Sequence, residues 1–102
     1  GFNQLQSLNL SGMTNLRHLH CDNAQLISLN VSGLTNLETL ICNNNELTSL
    51  DLSGLLNLEF LNCAFNQISQ LNLSELSKLK FLNDLSKTIW LSDDSFSFKN
   101  HT

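Results

Sequence analysis

Leucine recurs along this chain with a step of 21 residues. Leu16, Leu37, Leu58 and Leu79 form one column, and Leu19, Leu40, Leu61 and Leu82 a second. Leu26, Leu47, Ile68 and Ile89 form a third, and Leu29, Leu50 and Leu71 a fourth. Cys21, Cys42 and Cys63 keep the same step, as do Ser11, Ser32, Ser53 and Ser74 with Gly12, Gly33 and Gly54 behind the first three. No insertion interrupts the register from Leu5 to about Leu82. A fixed period of this length marks a repeat architecture. Inside the unit, Leu40-Ile41-Cys42 and Leu50-Asp51-Leu52 alternate with the period of two expected of short strands. No helical period is present. Strands this short cannot bury an apolar face alone. Stacking identical units about 4.8 Å apart pairs each strand with its copy and joins the inward columns into one core. The pattern predicts a mainly β solenoid of about four to five coils, on the order of 20 Å long, with a parallel sheet along one side. The Leu50–Leu52 segment predicts a second strand on the opposite, convex side.

One copy of the unit runs Leu37-x-x-Leu40-x-Cys42-x-x-Asn45-x-Leu47-x-x-Leu50-Asp51-Leu52-Ser53-Gly54-Leu55-x-Asn57. Its first part resembles the conserved segment of leucine-rich repeats, with Cys in a Leu position. Its second part repeats nearly the same spacing. The nesting within 21 residues resembles the IRREKO class of bacterial leucine-rich repeat, common in Bacteroidetes-type bacteria, over residues 1 to about 85. The resemblance implies a leucine-rich repeat solenoid with its parallel sheet on the concave face. It also implies a secreted or surface-displayed bacterial protein that recognises other proteins. It says little about which partner, because one fold serves many.

Composition narrows the function classes. Of 102 residues, 24 are Leu, 15 Asn and 13 Ser, and Pro is absent. With 41% hydrophobic residues the chain can bury a core. A net charge of −4 with only five Lys and Arg argues against a nucleic-acid or anionic-membrane surface. No apolar run approaches the roughly 18 residues of a membrane helix, so membrane insertion is not expected.

The two ends depart from the unit. Gly1-Phe2-Asn3-Gln4-Leu5 matches Ala64-Phe65-Asn66-Gln67-Ile68, so the chain starts within a coil. Upstream repeats of the same chain are therefore expected as neighbours of the first coil. Toward the C-terminus Asp84 replaces Cys, Lys87 replaces Asn, Glu75 replaces Gly, and Ser92 stands where Leu is expected. We divide the chain into an array at 1–84 and a degenerate last coil, cap or tail at 85–102.

Two columns have structural explanations. Cys21, Cys42 and Cys63 point inward and suit small buried hydrophobes. Tetrahedral zinc needs sulfurs roughly 4 Å apart, and Cys21 lies two coils, about 10 Å, from Cys63. Parallel Cβ vectors also disfavour a disulfide between neighbouring coils. No metal or other cofactor is expected. Asn3, Asn45 and Asn66 share a turn position where a buried amide satisfies backbone groups, and Ala24 interrupts that column. Asn9, Asn30, Asn72 and Asn100 begin N-x-S/T triplets, but the repeat itself generates the first three.

Function is sought on the outward side of the first strand. His18 and His20 face the same way and Asp22 follows, a set that could ligate a metal. No second coil reinforces it, so solvated polar residues are the better account. The outward columns are Arg17, Glu38, Glu59 and Lys80; His18, Thr39, Phe60 and Phe81; His20, Ile41, Asn62 and Asn83. These vary from coil to coil, unlike the Leu and Cys columns. Adjacent Phe60 and Phe81, with Ile41 near and charges around them, suit a protein-binding patch. Phe65 and Phe2 share a turn position and would extend or plug it. As a purely structural ladder pair, Phe60 and Phe81 would contribute under about 1 kcal/mol. No nucleophile–base arrangement or phosphate loop appears, so no enzyme is expected. A non-catalytic module binding a protein through the concave face is the leading function. A spacer or adhesin stalk and the targeting domain of a larger enzyme are the alternatives.

Overall fold

A computed structural model describes residues 7–8, 10–83 and 89–91. Its strands are β1 (His18–His20), β2 (Thr39–Ile41), β3 (Phe60–Asn62), β4 (Gln70–Asn72), β5 (Phe81–Asn83) and β6 (Ile89–Leu91). The order β1-β2-β3-β5 makes a parallel sheet whose register advances by 21 at every step. Thus Leu19 stands beside Leu40, Leu40 beside Leu61 and Leu61 beside Leu82. Backbone bonds extend the ladder past the strand ends. Glu38 N–H donates to Arg17 O at 2.8 Å, and Cys21 N–H donates to Ile41 O at 2.8 Å. Among the described residues there is no helix, so none could cross a membrane.

The core is the set of inward columns. Leu37, Leu40, Leu47, Leu55, Leu58 and Leu61 are completely buried, with Cys42 among them. Each coil then reverses through two consecutive turns. In one coil these are Leu34 N–H to Val31 O and Leu37 N–H to Leu34 O; in the next, Leu55 N–H to Leu52 O and Leu58 N–H to Leu55 O. Gly33 and Gly54 occupy the left-handed region within these turns, at φ 83° and 84°. Apart from the glycine and its two chain neighbours, nothing lies within 4 Å of where a Cβ would stand, so the dihedral, not space, calls for glycine.

Asn30, Asp51 and Asn72 lead into these turns. Each Oδ1 accepts the N–H two residues on, from Ser32, Ser53 and Ser74, at 2.9–3.0 Å. This Asx geometry is a local substitute for a backbone turn. The bond from Ser53 holds the Asp51 carboxyl below its usual pKa. The N-x-S triplets at Asn30 and Asn72 are thereby turn signals of the repeat.

Two expectations are corrected. The Leu50–Leu52 segment forms no strand. Its alternation reports which side chains are buried, and the Leu50 and Leu52 side chains are, without backbone pairing. On that side of the described residues, pairing joins only β4 and β6. The second correction concerns register. Ile89 stands beside Gln70 and Trp90 beside Leu71. The step there is 90 − 71 = 19, so Ile89 does not continue the Leu26, Leu47 and Ile68 column. A pure 21-residue count places Ser92 beside Leu71. The chain is two residues shorter across that interval, and Trp90 takes the apolar register position that Ser92 would have held. The proposed boundary at 84/85 lies outside the described residues.

Candidate protein-recognition face

Eight of the twelve residues proposed from sequence, His18, His20, Thr39, Ile41, Phe60, Asn62, Phe81 and Asn83, flank the buried Leu of the strands on the outward side, and Arg17, Glu38, Glu59 and Lys80 stand immediately before the strands. Along β1, β2, β3 and β5 the central Leu is buried and its two neighbours are exposed or half-buried. That follows from pleating, because successive side chains leave opposite faces. Parallel in-register pairing then sets each outward residue beside its counterpart one coil on.

The first outward column carries charges in the order plus, minus, minus, plus. Arg17 Nε and Nη2 donate to Glu38 Oε2 at 3.1 and 2.7 Å. Lys80 Nζ lies 3.6 Å from Glu59 Oε1. The two carboxylates occupy adjacent coils, and each is balanced by the cation on its far side. Exposed pairs like these contribute about 0–1 kcal/mol.

The second column divides into a polar and an aromatic half. His18 Nδ1 and Thr39 Oγ1 are 3.0 Å apart. Phe60 and Phe81 stack with centroids 4.5 Å apart and planes 18° from parallel. Phe81 remains 43% exposed. In the third column His20 is exposed, and Ile41, Asn62 and Asn83 are half-buried. Asn62 Oδ1 accepts the Ala64 N–H at 3.2 Å. The buried Asn83 Oδ1 has no partner among the described residues, and the equivalent donor, at residue 85, lies outside them.

His18 and His20 are exposed at the two ends of β1, with Asp22 exposed beyond them. No group of three or more His, Cys, Asp or Glu suited to a metal occurs among the described residues. The cysteines are buried thiols without a disulfide. Burial pushes Cys21 up to about 11, with the Asp22 charge adding to it. Burial raises Cys42 as well, helped by Cys63 and Cys21. Thiols so far from ionisation are poor nucleophiles at neutral pH.

The turn beyond the sheet is held by amides. Asn45, 7% exposed, accepts the Ala24 and Leu26 N–H groups on Oδ1 at 3.0 and 2.9 Å. Its Nδ2 donates to Cys21 O, Cys42 O and Asn43 O. Asn66 similarly takes Leu47 N–H and donates to Cys42 O, Cys63 O and Ala64 O. Each amide reaches back to the preceding coil. Ala24 therefore leaves its own coil's backward clamp empty, while Asn45 still ties that coil forward. Asn23 does not substitute for it, since its Nδ2 donates to Asp22 Oδ2 at 3.4 Å. Instead Gln25 joins Asn23 in the left-handed region, at φ 59°. Asn3 and Phe2 lie outside the described residues.

A second set of amides ties neighbouring coils. Asn36 Nδ2 donates to Thr14 O at 2.9 Å and Asn57 Nδ2 to Thr35 O at 2.8 Å. Lys78 Nζ, in the same column, donates to Asn57 Oδ1 at 2.7 Å. Asn15, Asn36 and Asn57 recur at the 21-residue step, but the step alone does not show what their amides bond.

Residues 35–78 match the family model for leucine-rich repeats in two copies. That segment is 78 − 35 + 1 = 44 residues long and contains β2, β3 and β4. The fold is a mainly β leucine-rich repeat solenoid. Such repeats generally mediate protein–protein interaction and are typically non-catalytic. Neither curated proteins nor solved structures yield a match.

Proposed function

We propose that this array is a non-catalytic recognition module whose strand face binds a protein, with Phe60 and Phe81 at the centre of contact. The observation that carries this is the contrast between the two faces of one sheet. Inward columns are uniform, Leu19 to Leu82 and Cys21 to Cys63. Outward columns change from His to Thr to Phe while keeping the same backbone. A fold needs uniform inward columns to stack, and outward chemistry is free to be set by a partner. The aromatic pair is large, ordered by stacking and still partly open to solvent. Buried aromatic anchors with a polar rim are the usual centre of a protein interface. Arg17, Glu38, Glu59 and Lys80 supply that rim, and His18, His20, Thr39, Ile41, Asn62 and Asn83 the surround. The resemblance to IRREKO repeats supports a bacterial surface or secreted protein.

Mapping by amide chemical shifts tests the placement. Binders are selected from a displayed random-peptide library against the folded chain and titrated into labelled protein. Shifts should concentrate at residues 38–41, 59–62 and 80–83. Shifts concentrated at 48–52 instead would place recognition on the far side of the coil and favour a spacer or stalk.

A further inference from the structure

One aromatic residue stands apart from this face. Phe65 follows β3 on the turn, is 59% exposed, and adopts φ 58°. Asn23 and Asn44 hold the same turn position at φ 56° and 60°. Asparagine tolerates the left-handed region; a bulky side chain there is strained. The turn has no freedom to relieve it. Ala64 O accepts the Asn44 N–H at 2.9 Å, and Asn66 Nδ2 binds Cys63 O and Ala64 O. Ala64 itself is buried. The ring thus combines backbone strain with poor burial, a net cost to the isolated fold. Strain of this kind persists where function uses it.

The surroundings specify a partner. Phe65 projects from a ridge of exposed polar side chains, Asn44 and Glu46 on one coil and Gln67 on its own. Unlike Glu38 and Glu59, Glu46 has no partner for its carboxylate among the described residues. We infer that Phe65 is a second contact element, inserting its ring into an apolar pocket of a protein partner whose rim carries a basic group opposite Glu46. The inference rests on the proposal that the array binds protein, and it extends contact from the sheet onto the turn.

The test uses Phe65→Asn, which restores the residue found at the two sister positions. Its melting temperature should rise by about 4 °C or more, because strain is removed and little burial is lost. The converse substitution Asn44→Phe should lower it. Binders selected from the displayed peptide library should weaken at least tenfold on F65N. They should weaken less on E46Q, with a loss that shrinks as salt screens the pair. A lower melting temperature for F65N would make the ring a packing element and overturn the inference. So would a higher one with affinity unchanged. Loss of binding in the Phe60→Ser, Phe81→Ser double variant but not in F65N would overturn this inference and leave the strand-face proposal standing. Loss in neither would overturn both.

Discussion

Asn45 Nδ2 donates to the backbone carbonyl of Cys21, 24 positions earlier in the chain, at 3.1 Å. The same side chain accepts two N–H groups from that coil and binds two carbonyls of its own. One buried amide therefore closes a turn and fixes the spacing of two coils.

Removing it should be costly. Asn45→Ala leaves buried donors and acceptors without partners, at about 1–3 kcal/mol or somewhat more. Asn66, half-buried and accepting one N–H instead of two, should cost less on the same change. Urea unfolding of N45A and N66A should show that order. Equal effects would mean that the second accepted N–H contributes nothing.

The turn glycines make a second prediction. Gly33→Ala places a Cβ at φ 83° and should cost about 1 kcal/mol. Gly33→Asn should cost less, because Asn tolerates this region. No steric clash opposes either residue, so the difference isolates the dihedral. Thermal melts of the two variants check it.

Alkaline pH supplies a third. Cys21 ionises at about 11 in the folded chain, above its ordinary value of 9.0. The folded state thus holds its proton more tightly than the unfolded state. The stabilisation this gives is complete below about pH 9 and is lost as pH rises toward 11. The urea midpoint should fall across that window, and fall less in Cys21→Ala. Native thiols should accordingly react slowly with iodoacetamide at pH 8. Rapid reaction of all three would contradict the burial of the column.

The period made much of this legible. Columns at a step of 21 identified the inward Leu and Cys residues, the strand positions and the structural role of Asn45 and Asn66. Translation alone, however, states which residues are equivalent and not what they bond to. Leu50-Asp51-Leu52 looked like a strand because burial alternates there, whereas pairing is absent. Departures from the period were harder still. Glu75 resembled decay of the Gly column, yet Glu75 Oε1 accepts the Gly54 N–H at 2.8 Å across the coils. Ile89 matched the column by count and missed it by two residues in register. Phe65 departs in sequence from Asn23 and Asn44 at its turn position, but only its backbone dihedral shows the strain.

The proposed recognition rests on the strand face, through Phe60 and Phe81. Its most direct test is the ratio of Kd values for one selected binder on Phe60→Ser, Phe81→Ser and on the control Thr48→Ser, Ser49→Ala. Thr48 and Ser49 are exposed and lie half a coil from the sheet. Truncating an aromatic anchor costs about 2 kcal/mol or more in binding, and about 1.4 kcal/mol is a factor of ten. The aromatic variant should bind at least roughly tenfold more weakly than the control, with unfolding free energies within about 1 kcal/mol of each other. Equal Kd values, or a larger loss in the control, would contradict recognition through this face.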